Sequence, residues 1–207
     1  MMKQHVRSLL FVLLSLSICS SDGRTQDSVE EPSTGKIFPK SVSFEHGTED
    51  YSLILTGVAV RKKLVFKGYG MAHYMDAANF ENIDMAIAAA LSDVHAKQIT
   101  IEFARDIGRD RIRNAFRGDF KKCASAEEMM EISALVDRFT GYFDEKVKKN
   151  DRFVLRWLPG GIVVSIIQGR EKASITSVTF AKVLWRIWLG DKSVVDRERL
   201  VELAVGE

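Results

Sequence analysis

The sequence predicts an α+β domain in which an antiparallel sheet is covered on one face by helices. Strand-like and helix-like segments are grouped in blocks rather than alternating strictly, which is typical of this class. Two antiparallel hairpins are predicted, one over residues 57–75 and one over residues 153–167. A Leu-Pro-Gly-Gly run at 158–161 supplies the reversal of the second hairpin.

The first 40 residues precede the predicted domain, which spans 41–207. Lys3 and Arg7 are followed by an apolar run to Ile18, the features of a signal peptide over 1–21. That run is shorter than the ~20 residues of a membrane-spanning helix, and a membrane-anchored N terminus is the alternative. A lipoprotein with lipid on Cys19 is a further alternative, because residues 16–19 resemble a lipobox. The polar segment 22–40 is predicted to be a disordered linker, and the protein to be secreted or periplasmic.

Composition indicates a single domain with an N-terminal extension. The 207 residues are 46% hydrophobic and 28% charged, as in ordinary globular proteins. A net charge of +2 gives no global reason to expect nucleic acid as a partner. Removal or lipidation of Cys19 leaves Cys123 without a disulfide partner, so we interpret Cys123 as a free structural cysteine.

Helices are predicted where apolar residues recur every three or four positions. Asn79 is expected to cap the first, over 80–91, and Ser125 with Glu128 forms a potential capping box for a later one. A helix over 178–189 is expected to end at Gly190. The predicted buried positions are Ile83, Ile87, Leu91, Ile112, Phe116, Phe120, Met129, Ile132, Val136, Phe139, Phe143, Phe180, Leu184, Ile187, Leu200 and Leu203.

The first hairpin contains the residues that we single out as candidates for ligand binding, Arg61 and Tyr69. An Arg-Lys-Lys cluster at 61–63 is predicted to mark the reversal, so Arg61 is either a solvated arginine at the tip or a side chain that points back over the sheet. In the second case the guanidinium offers fixed donors to an anion, and Tyr69 on the partner strand adds a neutral hydrogen bond. Gly68 and Gly70 flank Tyr69, and glycine inside a strand suggests close approach by another backbone or a ligand.

Other candidate features favour structure over chemistry. The four histidines, His5, His46, His73 and His95, lack the spacing of metal ligands, and no motif predicts a cofactor. His73 is interpreted as a structural residue of its strand. A cationic stripe on the helix after residue 108 either binds an anionic partner or forms a solvated face balanced by Asp110 and Asp119; its members are Arg109, Arg113, Arg117 and Lys121.

Four stretches together resemble the secreted bacterial branch of the chalcone isomerase-like proteins. They are Gly-Val-Ala-Val-Arg at 57–61 with Tyr69 and Ala-His-Tyr-Met at 72–75, Ile-Glu-Phe-Ala-Arg-Asp at 101–106, the 158–161 turn, and the aromatic-rich segment 180–191. The likeness covers about residues 40–205. It implies an open-faced β-sandwich, in which a large antiparallel sheet and a layer of helices enclose a ligand cleft.

The resemblance also implies a choice between binding and catalysis. In the plant enzymes of this family an arginine on the first hairpin holds the developing anion, assisted by a threonine, a tyrosine and an asparagine. Arg61 matches the arginine, whereas Tyr69 stands at the threonine position, and the segment 107–117 offers Asn114 but no tyrosine. Arg61 with Tyr69 looks like the carboxylate clamp of the fatty-acid-binding relatives.

Three functional hypotheses follow. The first is a non-catalytic binder of fatty acid or another small apolar acid, contacted by Arg61 and Tyr69, without nucleic acid and with a membrane only through lipid on Cys19. The second is an isomerase (an intramolecular lyase) of unknown substrate, with Arg61 stabilising an oxyanion. The third is a structural envelope protein whose cleft is closed by Phe66, Met71 and Phe180.

Overall fold

A computed structural model describes residues 27–63 and 66–206. The predicted signal peptide over 1–21, with Cys19, and the first residues of the predicted linker lie outside the described residues. The strands are Ser28–Glu31 (β1), Lys36–Pro39 (β2), Ser41–His46 (β3), Glu49–Lys63 (β4), Phe66–Met75 (β5), Lys97–Phe103 (β6), Arg152–Leu158 (β7), Ile162–Ile167 (β8), Arg170–Glu171 (β9) and Ile175–Thr176 (β10). The α-helices are Ile83–Ala90 (α1), Arg109–Cys123 (α2), Ala126–Gly141 (α3) and Val178–Leu189 (α4), and two short 3-10 helices follow at Glu198–Leu200 and Glu202–Ala204.

Within the described residues, eight strands form one large antiparallel sheet and helices cover one of its faces. The strand order is β10-β8-β7-β6-β5-β4-β3, and β9 pairs with β8. Alternate residues of β6, Ile99, Ile101 and Phe103, join the core that the helices α1 to α4 share with the sheet. The predicted α+β class and the open-faced sandwich, with a large antiparallel sheet and a helical layer, are therefore confirmed.

The helices follow the predicted periodicity. Their apolar residues lie on the side that packs against the sheet and are buried there. Phe116 and Phe120 of α2 and Phe139 of α3 pack as a buried aromatic cluster against Phe180 of α4. The capping box of Ser125 with Glu128 forms as predicted. None of the described helices has the length and apolar character that crossing a membrane requires.

Two helical predictions are wrong. Asn79 adopts a left-handed backbone conformation, and Asn82 caps α1 instead, accepting a hydrogen bond from the backbone N–H of Met85 at 2.9 Å. The helix therefore starts three residues after the predicted point. Leu203 is 51% exposed, because the short helices near the C terminus turn Leu200 and Ala204 inward instead.

The reversal of the first hairpin lies later than predicted. Arg61 and Lys62 belong to β4, where they pair with Tyr69 and Lys67 of β5. The predicted reversal at 61–63 is therefore wrong, and residues 64 and 65, predicted in the second strand, lie outside the described residues. Since Arg61 is in the strand, its side chain has a defined face of the sheet to point to.

The predicted disordered linker over 22–40 is wrong for residues 28–39, which form the antiparallel hairpin β1–β2. Phe38 is fully buried, and Lys36 Nζ donates to Glu102 Oε1 at 2.7 Å and to Asn150 Oδ1 at 2.6 Å. The hairpin also explains Gly70, where a Cβ atom would lie 2.6 Å from Thr34 Oγ1. Glycine at 70 thus marks the close approach of a neighbouring segment, as its place inside a strand indicated.

Candidate ligand-binding site

Arg61 and Tyr69 lie side by side on the helix-covered face of the sheet. They are direct cross-strand partners of β4 and β5, and Tyr69 also pairs with Phe103 of β6. The period of two in a strand puts them on the same face as Ala59 and Met71, which belong to the core. The Arg61 side chain is 28% exposed, so it is a partly buried group at the margin of the core.

The carboxylate of Asp119 on α2 faces the Arg61 guanidinium. Arg61 Nη1 donates to Asp119 Oδ2 at 2.6 Å, and Nη2 donates to Oδ1 at 3.3 Å. The Asp119 side chain is 12% exposed. Sequence analysis treated Asp119 as part of a solvated face, although its spacing of seven from Ile112 and three from Phe116 places it on the buried stripe of the helix.

Tyr69 is held in place by α4 and stays protonated at neutral pH. Trp188 Nε1 donates to the Tyr69 hydroxyl oxygen at 2.8 Å, and the ring packs edge-on against Phe103. Burial raises the pKa of Tyr69, and the nearby Arg61 opposes the rise without cancelling it. The hydroxyl group is therefore a hydrogen-bond donor to an anion placed beside it.

Arg61 keeps its charge. Burial alone would lower the pKa of Arg61, but Tyr69 and the Asp119 carboxylate together raise it above its ordinary value. Five N–H donors are present on a guanidinium and Asp119 occupies two of them. Tyr69 also contributes a hydrogen bond to the guanidinium that raises the pKa of Arg61, and the donors that neither Asp119 nor Tyr69 engages are available to a second acceptor.

A cavity of about 350 Å³ opens beside this pair, between the start of β5, the connection from β6 to α2, and the first turns of α2. Its volume lies near the lower end of the range of ~300–1,000 Å³ that is typical of small-molecule sites. The polar lining residues combine three cations with one phenol and one amide. The lining consists of Arg61, Gly68, Tyr69, Arg105, Ile107, Arg111, Ile112, Asn114 and Ala115.

Arg105 and Arg111 also belong to this site, although the sequence did not predict them. Arg105 lies two residues after the end of β6, and Arg111 lies in the first turn of α2, so only the fold brings both to Arg61. Of the predicted cationic stripe on α2, Arg109 pairs with Asp110 and Arg117 with Asp137, both on the surface. These two stripe residues do not line the cavity.

Beyond this cavity, buried side chains of the described residues pack together as the core between the sheet and the helices. Met71 and Phe180, which the closed-cleft hypothesis named, are fully buried in the core. Phe66, the third residue of that hypothesis, begins β5. The opening next to Arg61 is therefore at the end of the sheet, and a ligand there meets the apolar wall of Ile107, Ile112 and Ala115.

His73 lies deeper on the same face and belongs to a buried hydrogen-bond chain. Trp185 Nε1 is 3.4 Å from His73 Nε2, His73 Nδ1 is 2.6 Å from Thr56 Oγ1, and Thr56 donates to the Leu200 carbonyl at 2.8 Å. Burial, with a smaller effect of Lys97, lowers the pKa of His73 to about 3. A neutral imidazole that links three elements supports the interpretation of His73 as a structural residue.

Metal binding finds no support in the described part of the chain, where no group of three or more His, Cys, Asp or Glu side chains converges. Cys123, at the end of α2, is a free cysteine. Burial, followed by the proximity of Asp119, raises its pKa, so the thiol is the dominant form at neutral pH. We therefore assign no catalytic role to Cys123.

Comparisons with known proteins agree with this architecture. The model of the chalcone isomerase-like family matches residues 34–199. No curated protein matches the sequence. Among solved structures, the fatty-acid binding protein AtFAP1 of Arabidopsis thaliana superposes with a TM-score of 0.67 at 22% identity, over 86% of this chain and 97% of that one. At this identity the likeness shows the fold alone, and the narrower prediction of a secreted bacterial branch stays a prediction. Because the family model spans most of its length, the chain belongs to the chalcone isomerase-like family.

Proposed function

We propose that this protein is a non-catalytic binder of a fatty acid or another small apolar acid. The observation that supports the proposal is the cavity that Arg61 and Tyr69 line together with two further arginines and with apolar side chains. A carboxylate needs donors and positive charge, and its hydrocarbon part needs apolar contact. The cavity offers both within one hollow.

Asp119 changes how the acid group would bind. The Asp119 carboxylate already compensates the charge of Arg61, so the guanidinium does not need a ligand anion as its partner. The acid group is therefore placed beside the pair, where it accepts from the guanidinium donors that Asp119 leaves free and from the Tyr69 hydroxyl. Arg105 and Arg111, which line the same cavity, supply the positive charge that balances the ligand.

The name of the structural neighbour is consistent with this proposal. AtFAP1 is described as a fatty-acid binding protein, and it shares this fold at 22% identity. The volume of about 350 Å³ suits a small or medium-chain acid better than a long-chain one. We therefore expect medium-chain acids to bind better than long-chain ones.

One observation supports the alternative of an isomerase. Asn114, the single asparagine of the 107–117 segment, lines the cavity together with Arg61 and Tyr69. In that hypothesis Arg61 stabilises an oxyanion and protonated Tyr69 acts as the proton donor. Turnover of a chalcone that is lost in Arg61→Ala would favour this alternative over simple binding.

The test of the binding proposal is native mass spectrometry of the protein as isolated, followed by lipid extraction. We expect a bound acid that is released on denaturation and is lost or strongly reduced in Arg61→Ala. Arg109→Ala is the matched control, because Arg109 is an exposed arginine next to the site that pairs with Asp110.

An unchanged yield of acid in Arg61→Ala, or no uptake of added decanoate by the delipidated protein, would contradict the proposal. Failure to take up any acid would favour the structural hypothesis of a closed cleft. The intact mass from the same experiment also tests two further proposals, removal of residues 1–21 and lipidation of Cys19.

A further inference from the structure

The end of the sheet that carries the Arg61 cavity also carries a second cavity of about 380 Å³. Its lining residues are Ser33, Thr34, Lys36, Lys67, Ala104, Arg105 and Lys149. Arg105 is common to both cavities, so the two are neighbours. Three arginines line the first cavity and three lysines line the second, and among the described lining residues of both there is no Asp or Glu.

Part of this charge is compensated and part is not. Asp119 pairs with Arg61, and Glu102 pairs with Lys36. By contrast, Lys67, Arg111 and Lys149 are exposed, and in the described part of the chain their side chains form no ion pair. Lys67 donates to the Ser33 carbonyl, which holds the side chain but leaves its charge in place.

We call Lys67, Arg111 and Lys149 the basic rim. The carboxylates near it are engaged in different ways. Asp110 pairs with Arg109, whereas Asp106 accepts from the backbone N–H of Lys149 at 2.8 Å and Glu31 accepts from those of Ser33 and Thr34, bonds that do not cancel the charge of a carboxylate. Lys67, Arg111 and Lys149 outnumber these unpaired carboxylates, so an excess of positive charge remains around the two neighbouring cavities.

Three further cavities differ in composition. One at the β3–β4 hairpin includes Glu45 and Asp50 in its lining. A second includes Glu31 and Asp196, and a third includes Asp191 beside Cys123. The concentration of cations without acidic residues is thus a local feature, since the whole chain carries a net charge of only +2.

We propose that the basic rim docks this protein on an anionic lipid surface, with the Arg61 cavity opening toward the bilayer. The three rim side chains come from β5, α2 and the loop before β7, and they are exposed rather than convergent on one point. Such spread charge suits a surface of many headgroups better than one small anion. Docking itself does not depend on the proposed function. Its purpose, which we take to be the exchange of an apolar acid with the membrane, rests on that function.

The strength of this interaction follows from the number of cations. A Lys or Arg close to an anionic membrane contributes about 1 kcal/mol, which is about a fivefold change in the partition coefficient. Removing all three rim charges should therefore weaken binding by about 100-fold. Because the charges are exposed, raising the salt from about 0.1 M to about 1 M should abolish most of the binding.

The experiment is co-sedimentation of the delipidated protein with phosphatidylcholine vesicles that either contain or lack phosphatidylglycerol. The test variant combines Lys67→Gln, Arg111→Gln and Lys149→Gln. The matched control combines Lys121→Gln, Lys122→Gln and Lys192→Gln, three exposed lysines. The first two lie at the opposite end of α2, and Lys192 follows α4; the charges of Lys122 and Lys192 both act on Cys123, where they oppose the rise of its pKa. Thermal unfolding verifies that both variants are folded.

We expect binding to the phosphatidylglycerol vesicles by the unmodified protein and the control, and an approximately 100-fold loss in the test variant. Equal binding to neutral vesicles, or an equal loss in the control, would overturn the proposal. Vesicle binding without uptake of decanoate would refute the proposed function but not the docking. Uptake of decanoate without vesicle binding would refute the docking alone.

Discussion

Replacement of Asp119 by asparagine tests whether Arg61 contacts the ligand, because the substitution should change both the stability of the ligand-free protein and its affinity for an acid. The substitution keeps the size of the side chain but removes the charge that faces the guanidinium at 2.6 Å. The Arg61 and Asp119 side chains are 28% and 12% exposed. The expected loss of stability lies between that of an exposed pair, ~0.2–1 kcal/mol, and that of a broken buried pair, ~3–5 kcal/mol. We therefore expect the ligand-free variant to lose about 1–3 kcal/mol.

The same substitution should tighten acid binding if the acid group contacts Arg61. In Asp119→Asn the bound carboxylate replaces the missing anion, so binding recovers free energy that the ligand-free variant has lost. A recovery of about 1–3 kcal/mol corresponds to a gain in affinity of about fivefold to 100-fold. The acid should also raise the unfolding temperature of the variant more than that of the unmodified protein.

The assay is titration calorimetry with decanoate at neutral pH, together with thermal unfolding with and without the acid. Asp110→Asn is the matched control, because Asp110 is an exposed acid on the same helix and pairs with Arg109. It should change neither quantity appreciably. Unchanged or weaker affinity in Asp119→Asn would refute the placement of the acid group beside Arg61.

Further predictions concern buried titratable groups and close backbone approaches. Burial lowers the pKa of Lys97 to about 7 from 10.5. Between these two pH values the unfolded chain binds more protons than the folded one, so the free energy of unfolding rises with pH. Lys97→Met should abolish this rise in denaturant titrations and add a few kcal/mol at pH 7. Because the pKa of His73 is lowered from 6.5 to about 3, its stability contribution is complete above pH 6.5 and is lost as pH falls toward 3. His73→Gln should remove that part of the acid dependence, which amounts to about 1.4 kcal/mol per pH unit. A Cβ atom at Gly57 would lie 2.1 Å from the Arg199 carbonyl oxygen, so Gly57→Ala should cost more than about 2 kcal/mol in chemical unfolding. Gly118→Ala on α2, where nothing lies within 4 Å, should instead stabilise by about 0.5–1 kcal/mol.

Local patterns predicted most of the fold, because each is a property of a short segment. Apolar residues spaced by four, such as Phe116 and Phe120, occupy the buried face of their helix. The positions that failed are those where a neighbour decides the outcome. Asn79 and Asn82 are equally good caps by type, but the backbone of Phe80 is hydrogen-bonded to Ala204 and Gly206 near the C terminus, so the helix begins only after Asn82.

The polar hairpin at 28–39 illustrates the same limit. Its composition indicates disorder. In the structure, however, Phe38 is buried, and Lys36 forms an ion pair with Glu102, which is 66 residues away in the sequence. Neither contact can be read from the segment itself, since both depend on the outer face of a sheet formed by later strands. Composition predicts only how much apolar surface a segment can bury, not what another element offers to it.

The sequence by itself determined the hairpin that carries Arg61 and Tyr69, because the alternation of apolar residues is a property of a short segment. The register that pairs the two residues depends on the position of the turn, which the sequence misplaced. Only the tertiary structure decided what surrounds them. Asp119 is 58 residues from Arg61 in the sequence, and Trp188 is 119 residues from Tyr69. Arg105 and Arg111 belong to the β6–α2 connection and to α2. These contacts depend on how the helices pack on the sheet, which is set by whole surfaces rather than by the period of any one strand or helix.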